Sequence, residues 1–216
     1  MSENDGATPG RKPDGAGSAS RLPGTPRFKS PLTRFVLTTL AWLPVTFLTW
    51  FLTAPLLLWP VRMLAGLVTR VGFSDLVRGI ESDGTSLSFL TTLKPGEGMG
   101  AGVVSIDVNM LVYAFGMPLF AALTLAAREG KWWRTLAVGY GVIVPFVTWG
   151  VLADFLKGIA IVAPAAIASQ TGFSGMQREM IAFAYQFGSL ILPAVVPAVV
   201  WVPLHRAFLE RLRLRS

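Results

Sequence analysis

The side chains able to do chemistry in this chain stand at the ends of oily stretches. In "WGVLADFLKG", residues 149–158, Asp154 and Lys157 close an otherwise uncharged apolar run, and "MQREMIAFAYQFG" opens the next run with Arg178, Glu179 and Gln186. Asp107 and Asn109 precede a third run, with Tyr113 about one turn inside it. Lys157 follows Asp154 by three positions, so the two share part of one helical face. At a helix C-terminus the macrodipole favours the cation and opposes the anion, so Asp154 needs a further partner, and Arg178 on the returning helix is the expected one. Gln186 lies seven residues after Glu179, on the same face and roughly 10 Å deeper, where an unpaired amide is costly; it is expected to point into the bundle. Three chemistries fit the cluster. The charges can be border residues that pair or snorkel to fix helix register, a polar docking site for another membrane protein or a peptide, or a solute-binding or catalytic site.

Other chemistries are excluded. "GFSG" at 172–175 with the single His205 superficially resembles the serine and histidine of rhomboid intramembrane proteases. Ser174 and His205 stand at opposite ends of one apolar run, up to about 45 Å apart along a helix, whereas a nucleophile and its base must come within about 3 Å. Ser174 reads instead as a helix N-cap, with Gln177 three residues on completing a capping box. His205 reads as an interfacial residue. One histidine, no cysteine and no paired-carboxylate spacing give neither a metal site nor a cofactor site, and the absence of cysteine rules out thiolate catalysis.

What must position these residues is a membrane domain. Of 216 residues 52% are hydrophobic and 14% charged, with positive mean hydropathy, too oily for a soluble domain of this size. Four charge-free runs, at about 35–59, 108–127, 135–153 and 180–204, can each cross a hydrocarbon core of roughly 30 Å as a helix. The expected fold is an all-α integral membrane protein, a four-transmembrane-helix bundle over 35–205 carrying a small extracytoplasmic β-hairpin. Prolines 44, 55, 118, 145, 193 and 197 imply kinks relieved by neighbouring helices.

The net charge of +7 does not point to nucleic acid, because the basic residues form no single face. Thirteen of the nineteen Lys and Arg residues fall in the N-terminal tail through Arg34, the link around "REGKWWR" and the end from His205. The positive-inside rule therefore puts both termini in the cytoplasm. Residues 1–34 are expected to be a disordered basic tail, the first apolar run to persist as an anchor instead of being cleaved as a signal, and 206–216 to be a second basic tail facing anionic lipid headgroups.

Within the extracytoplasmic segment 60–107, Leu64, Leu67, Val68 and Val71 recur at i, i+3, i+4 and i+7, the pattern of a helix lying on the outer membrane surface. "TSLSFLTTL" and "VVSIDVN" alternate with the period of strands around the glycine-rich "KPGEGMGAG". A lone hairpin is marginal in water. It must pack on the surface helix, recruit "LVRGI" as a third strand, or pair with another protein.

"VNMLVYAFGMPLF", "WGVLADFLKG" and "GFSGMQREMIAFAYQFGSLILPAVVPAVVW", in that order and spacing, resemble the exosortase H-associated membrane proteins of Gram-negative bacteria, from about Phe35 to Phe208. The resemblance implies a multi-pass inner-membrane protein that accompanies exosortase H, a transpeptidase-like membrane enzyme that processes proteins bearing a C-terminal sorting signal. It implies an accessory or scaffolding role and an exosortase as partner. It does not make this chain the enzyme, since exosortases use a cysteine nucleophile. A small transporter or channel subunit binding solute at the outer polar cluster is the alternative.

Overall fold

A computed structural model describes residues 31–95 and 102–214; the expected tail over 1–34 therefore lies almost wholly outside the described residues. Helix α1, Pro31–Leu57, is followed at once by α2, Trp59–Gly72. Three antiparallel strands follow: β1, Val77–Asp83, β2, Ser86–Thr91, and β3, Ser105–Asn109. The apolar helix Leu111–Ala127 is interrupted at Phe115 into α3, Leu111–Ala114, and α4, Gly116–Ala127. Next come α5, Trp132–Lys157, prolonged by a π-helical turn to Val162, then α6, Ala165–Ala168, and α7, Gly175–Gln186. A second π turn, Phe187–Ile191, joins α7 to α8, Leu192–Leu204, and α9 spans Arg206–Arg213.

Among the described residues, three helical rods are long and apolar enough to cross a membrane: Pro31–Leu57, Trp132–Val162 and Gly175–Leu204. Leu111–Ala127 is shorter, because Val108, read from sequence as the start of that run, belongs to β3. Two rods extend beyond their expected starts or ends: the one begun at 135 runs from Trp132 to Val162, and the one begun at 180 starts at Gly175. Both extensions have local causes. The chain leaves the helix before Pro164, with Ala163 at an extended ψ of 150°, as a residue preceding proline prefers. Ser174 caps α7 through the Gln177 amide while the Gln177 side chain accepts from the Ser174 amide, at 3.3 and 2.8 Å, the expected capping box.

The backbone is satisfied as a hydrocarbon surrounding requires. In α1 the hydroxyls of Thr38, Thr39, Thr46 and Thr53 each donate to the carbonyl four residues back. The second π turn, ending at Ile191, lies two residues before Pro193, and a widened turn accommodates a proline that cannot donate to the preceding turn. Trp149 donates from its indole to the Ala184 carbonyl there, at 3.3 Å.

Helices approach closely where a residue has no side chain. A Cβ on Gly116 would fall 2.4 Å from the Pro193 carbonyl oxygen, locking α4 on α8, and one on Gly150 would fall 2.4 Å from the Tyr113 ring. Small residues at such crossings let packing forces act where lipid offers no hydrophobic drive. α1 is the peripheral member, with 17% of its most apolar window buried against 44% and 39% for the other two rods.

The sheet is more than a hairpin. β1 folds onto β2 through a two-residue turn in which Gly84 adopts φ 55°, a conformation that favours glycine. β2 is the central strand and pairs β3 with Leu87 opposite Val108 and Phe89 opposite Ile106. Leu87, Phe89 and Val108 are buried, and Phe89 stacks on Phe155 of α5 with centroids 4.4 Å apart. The third strand and this helix supply what a lone hairpin lacks.

α2 carries two stripes. Val61, Ala65 and Thr69 are its buried stripe, while Leu67 and Val71 of the expected stripe are exposed. α2 packs against α5, and the smaller residues allow that approach while the larger apolar ones face outward.

Candidate functional site

Two polar clusters lie at opposite ends of the helical domain. The first assembles around Asp154, where α5 enters its last turn. Lys157 Nζ sits 2.7 Å from the Asp154 carboxylate, both side chains being about three-quarters buried. The i, i+3 spacing puts them on one face, as expected. The further partner of Asp154 is not Arg178, however. Tyr113, from α3, and Tyr185, from α7, stand beside the pair, where the Tyr113 phenol interacts with Asp154 and Tyr185, and Tyr185 with Lys157. The Lys157 ammonium also lies 3.6 Å from the Tyr185 ring centroid, a cation–π distance. Carboxylate, ammonium and two phenols thus clasp three segments of chain.

The residues expected to join them divide. Asp107 shares a cavity with Asp154 and Lys157 and accepts from the Ser88 hydroxyl at 2.6 Å. Asn109 turns to its own chain, its side-chain oxygen accepting from the Leu111 amide at 3.0 Å. Arg178 donates to the Ala168 carbonyl at 3.4 Å, tying α7 to α6. Glu179 is exposed and makes no ion pair among the described residues.

Gln186 is exposed instead of pointing into the bundle. The inward stripe of this rod runs through Arg178, Ile181, Tyr185 and Gly188, one 3.6-residue step from Ile181 falling on Tyr185 and the next on Gly188, so that Gln186 lies off the stripe. Tyr185 is the residue that sequence reasoning missed. That same i, i+3, i+7 stripe was the available signal.

At the other end, His205 is buried, not interfacial in the exposed sense. It stacks on Trp201 at 4.7 Å, and its Nδ1 lies 3.1 Å from the Trp201 carbonyl oxygen. Its Nε2 stands 3.9 Å from Glu129, which Arg211 of α9 engages at 2.9 Å. Phe35 stacks on Trp201 and packs beside Phe208, so the start of α1, the link after α4 and the α8–α9 junction are pinned together. Ser174 and His205 flank the whole rod Gly175–Leu204, so no Ser–His pair forms.

The cavity beside Asp154 has a volume of about 720 Å³ and runs between β3 and the α5–α6 corner, within the size range of ligand sites. Its polar rim holds two carboxylates, Asp107 and Asp154, and one ammonium, Lys157. Chemically this arrangement favours recognition of a polar or cationic group at the domain surface.

The family described as exosortase H-associated membrane protein matches residues 29–208. No curated protein and no solved structure matches the chain.

Proposed function

The chain belongs to the exosortase H-associated membrane proteins, and from that premise we propose that it is a non-catalytic accessory subunit that holds exosortase H or presents its sorting-signal substrates. The family match over 29–208 is the observation that carries this reading. The clasp built from Tyr113, Asp154, Lys157 and Tyr185 supports it, because it steadies a surface beside a polar cavity without leaving a charge unbalanced inside the bundle.

In this reading Leu111–Ala127 is a fourth span. Its 17 residues give roughly 25 Å, at the short end of what a bilayer needs. The protein resides in the bacterial inner membrane with both termini cytoplasmic. The Glu129–Arg211–His205 end then faces the cytoplasm and the sheet faces outward, in line with the Lys and Arg distribution. Leu67 and Val71, exposed on α2, face lipid.

Co-purification tests the reading. The affinity-tagged chain, expressed with exosortase H and extracted in mild detergent, is expected to carry the enzyme through two chromatographic steps, and deletion of the chain to slow processing of a sorting-signal substrate. Separate elution together with unchanged processing overturns it.

A further inference from the structure

The two outer edges of the sheet are built differently. β1 carries Arg78, Glu81 and Asp83, has an irregular register between Val77 and Gly79, and is engaged at its turn by Arg62, which donates to Ser82 and to the Gly84 carbonyl. Charges and bulges of this kind stop a strand from pairing further. β3 has a continuous register, no proline and one charged residue, Asp107.

The pairing decides which of its backbone groups are free. The Thr91 amide donates to the Val104 carbonyl and the Met110 amide to that of Thr85, so alternate residues from Val104 to Met110 point their amides and carbonyls at β2. Ser105, Asp107 and Asn109 therefore point theirs away from the sheet, and all three residues are exposed.

The 720 Å³ cavity lies along this edge, walled opposite by Gly158, Ala163 and Ile167. Gly158 lets the end of α5 approach β3 closely, since a Cβ there would meet the Ile106 side chain at 2.7 Å. Near one end Gln170 bridges to the backbone of Lys94, accepting from its amide at 2.9 Å and donating to its carbonyl at 3.0 Å. The rim has one carboxylate more than the single ammonium balances.

We propose that the free edge of β3 and this cavity form a docking site for an extended segment of a partner polypeptide, which adds as a fourth strand and sets a Lys or Arg side chain against Asp107 and Asp154. Main-chain hydrogen bonds to Ser105, Asp107 and Asn109 supply the affinity, and the carboxylates supply the preference for a basic residue. A second copy of this chain fits less well. Antiparallel pairing of two β3 strands centred on Asp107 sets two carboxylates directly opposite each other, which is unfavourable. The site is defined by its chemistry and does not depend on which protein supplies the strand, so it can fail while association with exosortase H holds, and the reverse.

The test uses the full chain purified in detergent and a fluorescein-labelled peptide of sequence Thr-Val-Lys-Val-Thr, with two control peptides, one carrying Glu for Lys and one N-methylated at alternate amides. The expected result is saturable binding in the millimolar range, slowed hydrogen exchange over residues 105–109, and roughly tenfold weaker binding of the Glu peptide. Ser105→Pro removes one outward amide at the first residue of the strand, a tolerated place for proline, and is expected to abolish binding. Asp107→Asn leaves every backbone group in place and is expected to erase the preference for Lys over Glu. Equal binding of the N-methylated peptide, no saturable binding of any peptide, or protection of 105–109 that rises with protein concentration in the absence of peptide overturns the proposal; the last result assigns the edge to a second copy of the chain.

Discussion

At the residue scale the decisive feature is the partner of Asp154. Three side chains surround it or its counter-ion, and all are placed by different elements, so truncating any one leaves polar atoms partly desolvated. Asp154→Asn is expected to cost about 1–3 kcal/mol, discounted from a fully buried pair because water reaches about a quarter of each side chain. Lys157→Met alone is expected to cost a similar amount, and the double variant less than the sum, with coupling of about 0.5–3 kcal/mol in a double-mutant cycle read as folded protein surviving in detergent. Asp154 combined with Arg178→Gln should be additive, since Arg178 engages Ala168 instead. Tyr113→Phe removes the phenol that faces the Asp154 carboxylate and is expected to cost about 1–3 kcal/mol in the same assay. Coupling between Asp154 and Arg178, or a silent Tyr113→Phe, would contradict the clasp. Asp154, Lys157 and Tyr113 were visible in the sequence as polar residues near one border. Which of them touch was not, because a rotation of one residue along α7 exchanges Tyr185 for Gln186.

At the scale of elements, the architecture rests on places where backbones meet. Gly116→Val puts a side chain where the Pro193 carbonyl and the Pro197 ring already stand, and overpacking of this kind is expected to cost about 1–3 kcal/mol or more. Gly66→Ala, in α2 with nothing within 4 Å of the added methyl, is expected to stabilise by about 0.5–1 kcal/mol through helix propensity. Thermal unfolding in one detergent compares the two directly, and similar shifts would mean that α4 and α8 do not cross at Gly116. Element identity was largely legible: apolar length fixed the helices, alternation fixed β2 and β3, and "SDGTS" at 82–86 carries the Asp-Gly signal that folds β1 onto β2. The facing of α2 was not, since Val61, Ala65 and Thr69 form as regular a stripe as Leu64, Leu67 and Val71, and only contact with α5 selects between them.

At the scale of the whole molecule, the two polar ends define an orientation. A reporter fused after Ser216 is expected to read as cytoplasmic, and one inserted between Lys94 and Gly102 as external, because Lys and Arg concentrate at the termini and the 128–134 link. A C-terminal reporter reading external would remove the fourth span and leave Leu111–Ala127 as a buried half-helix. On the proposed topology the end pinned by Phe35, Trp201 and Phe208 is the cytoplasmic one, and α9 there is rich in arginine.

Composition and run length by themselves determined that this chain belongs in a membrane and, to within a few residues, where most of its helices and strands fall. These properties follow from solvation and backbone satisfaction, which depend on each segment's own residues. Tertiary structure alone decided that Lys157 and Tyr113, not Arg178, hold Asp154, that His205 is stacked inside an aromatic corner, and that β2 lies central with β3 left at an edge. Those outcomes depend on distances between segments as far apart in sequence as Phe35 and Trp201, and on helix rotations of about 100° per residue, which no local pattern encodes.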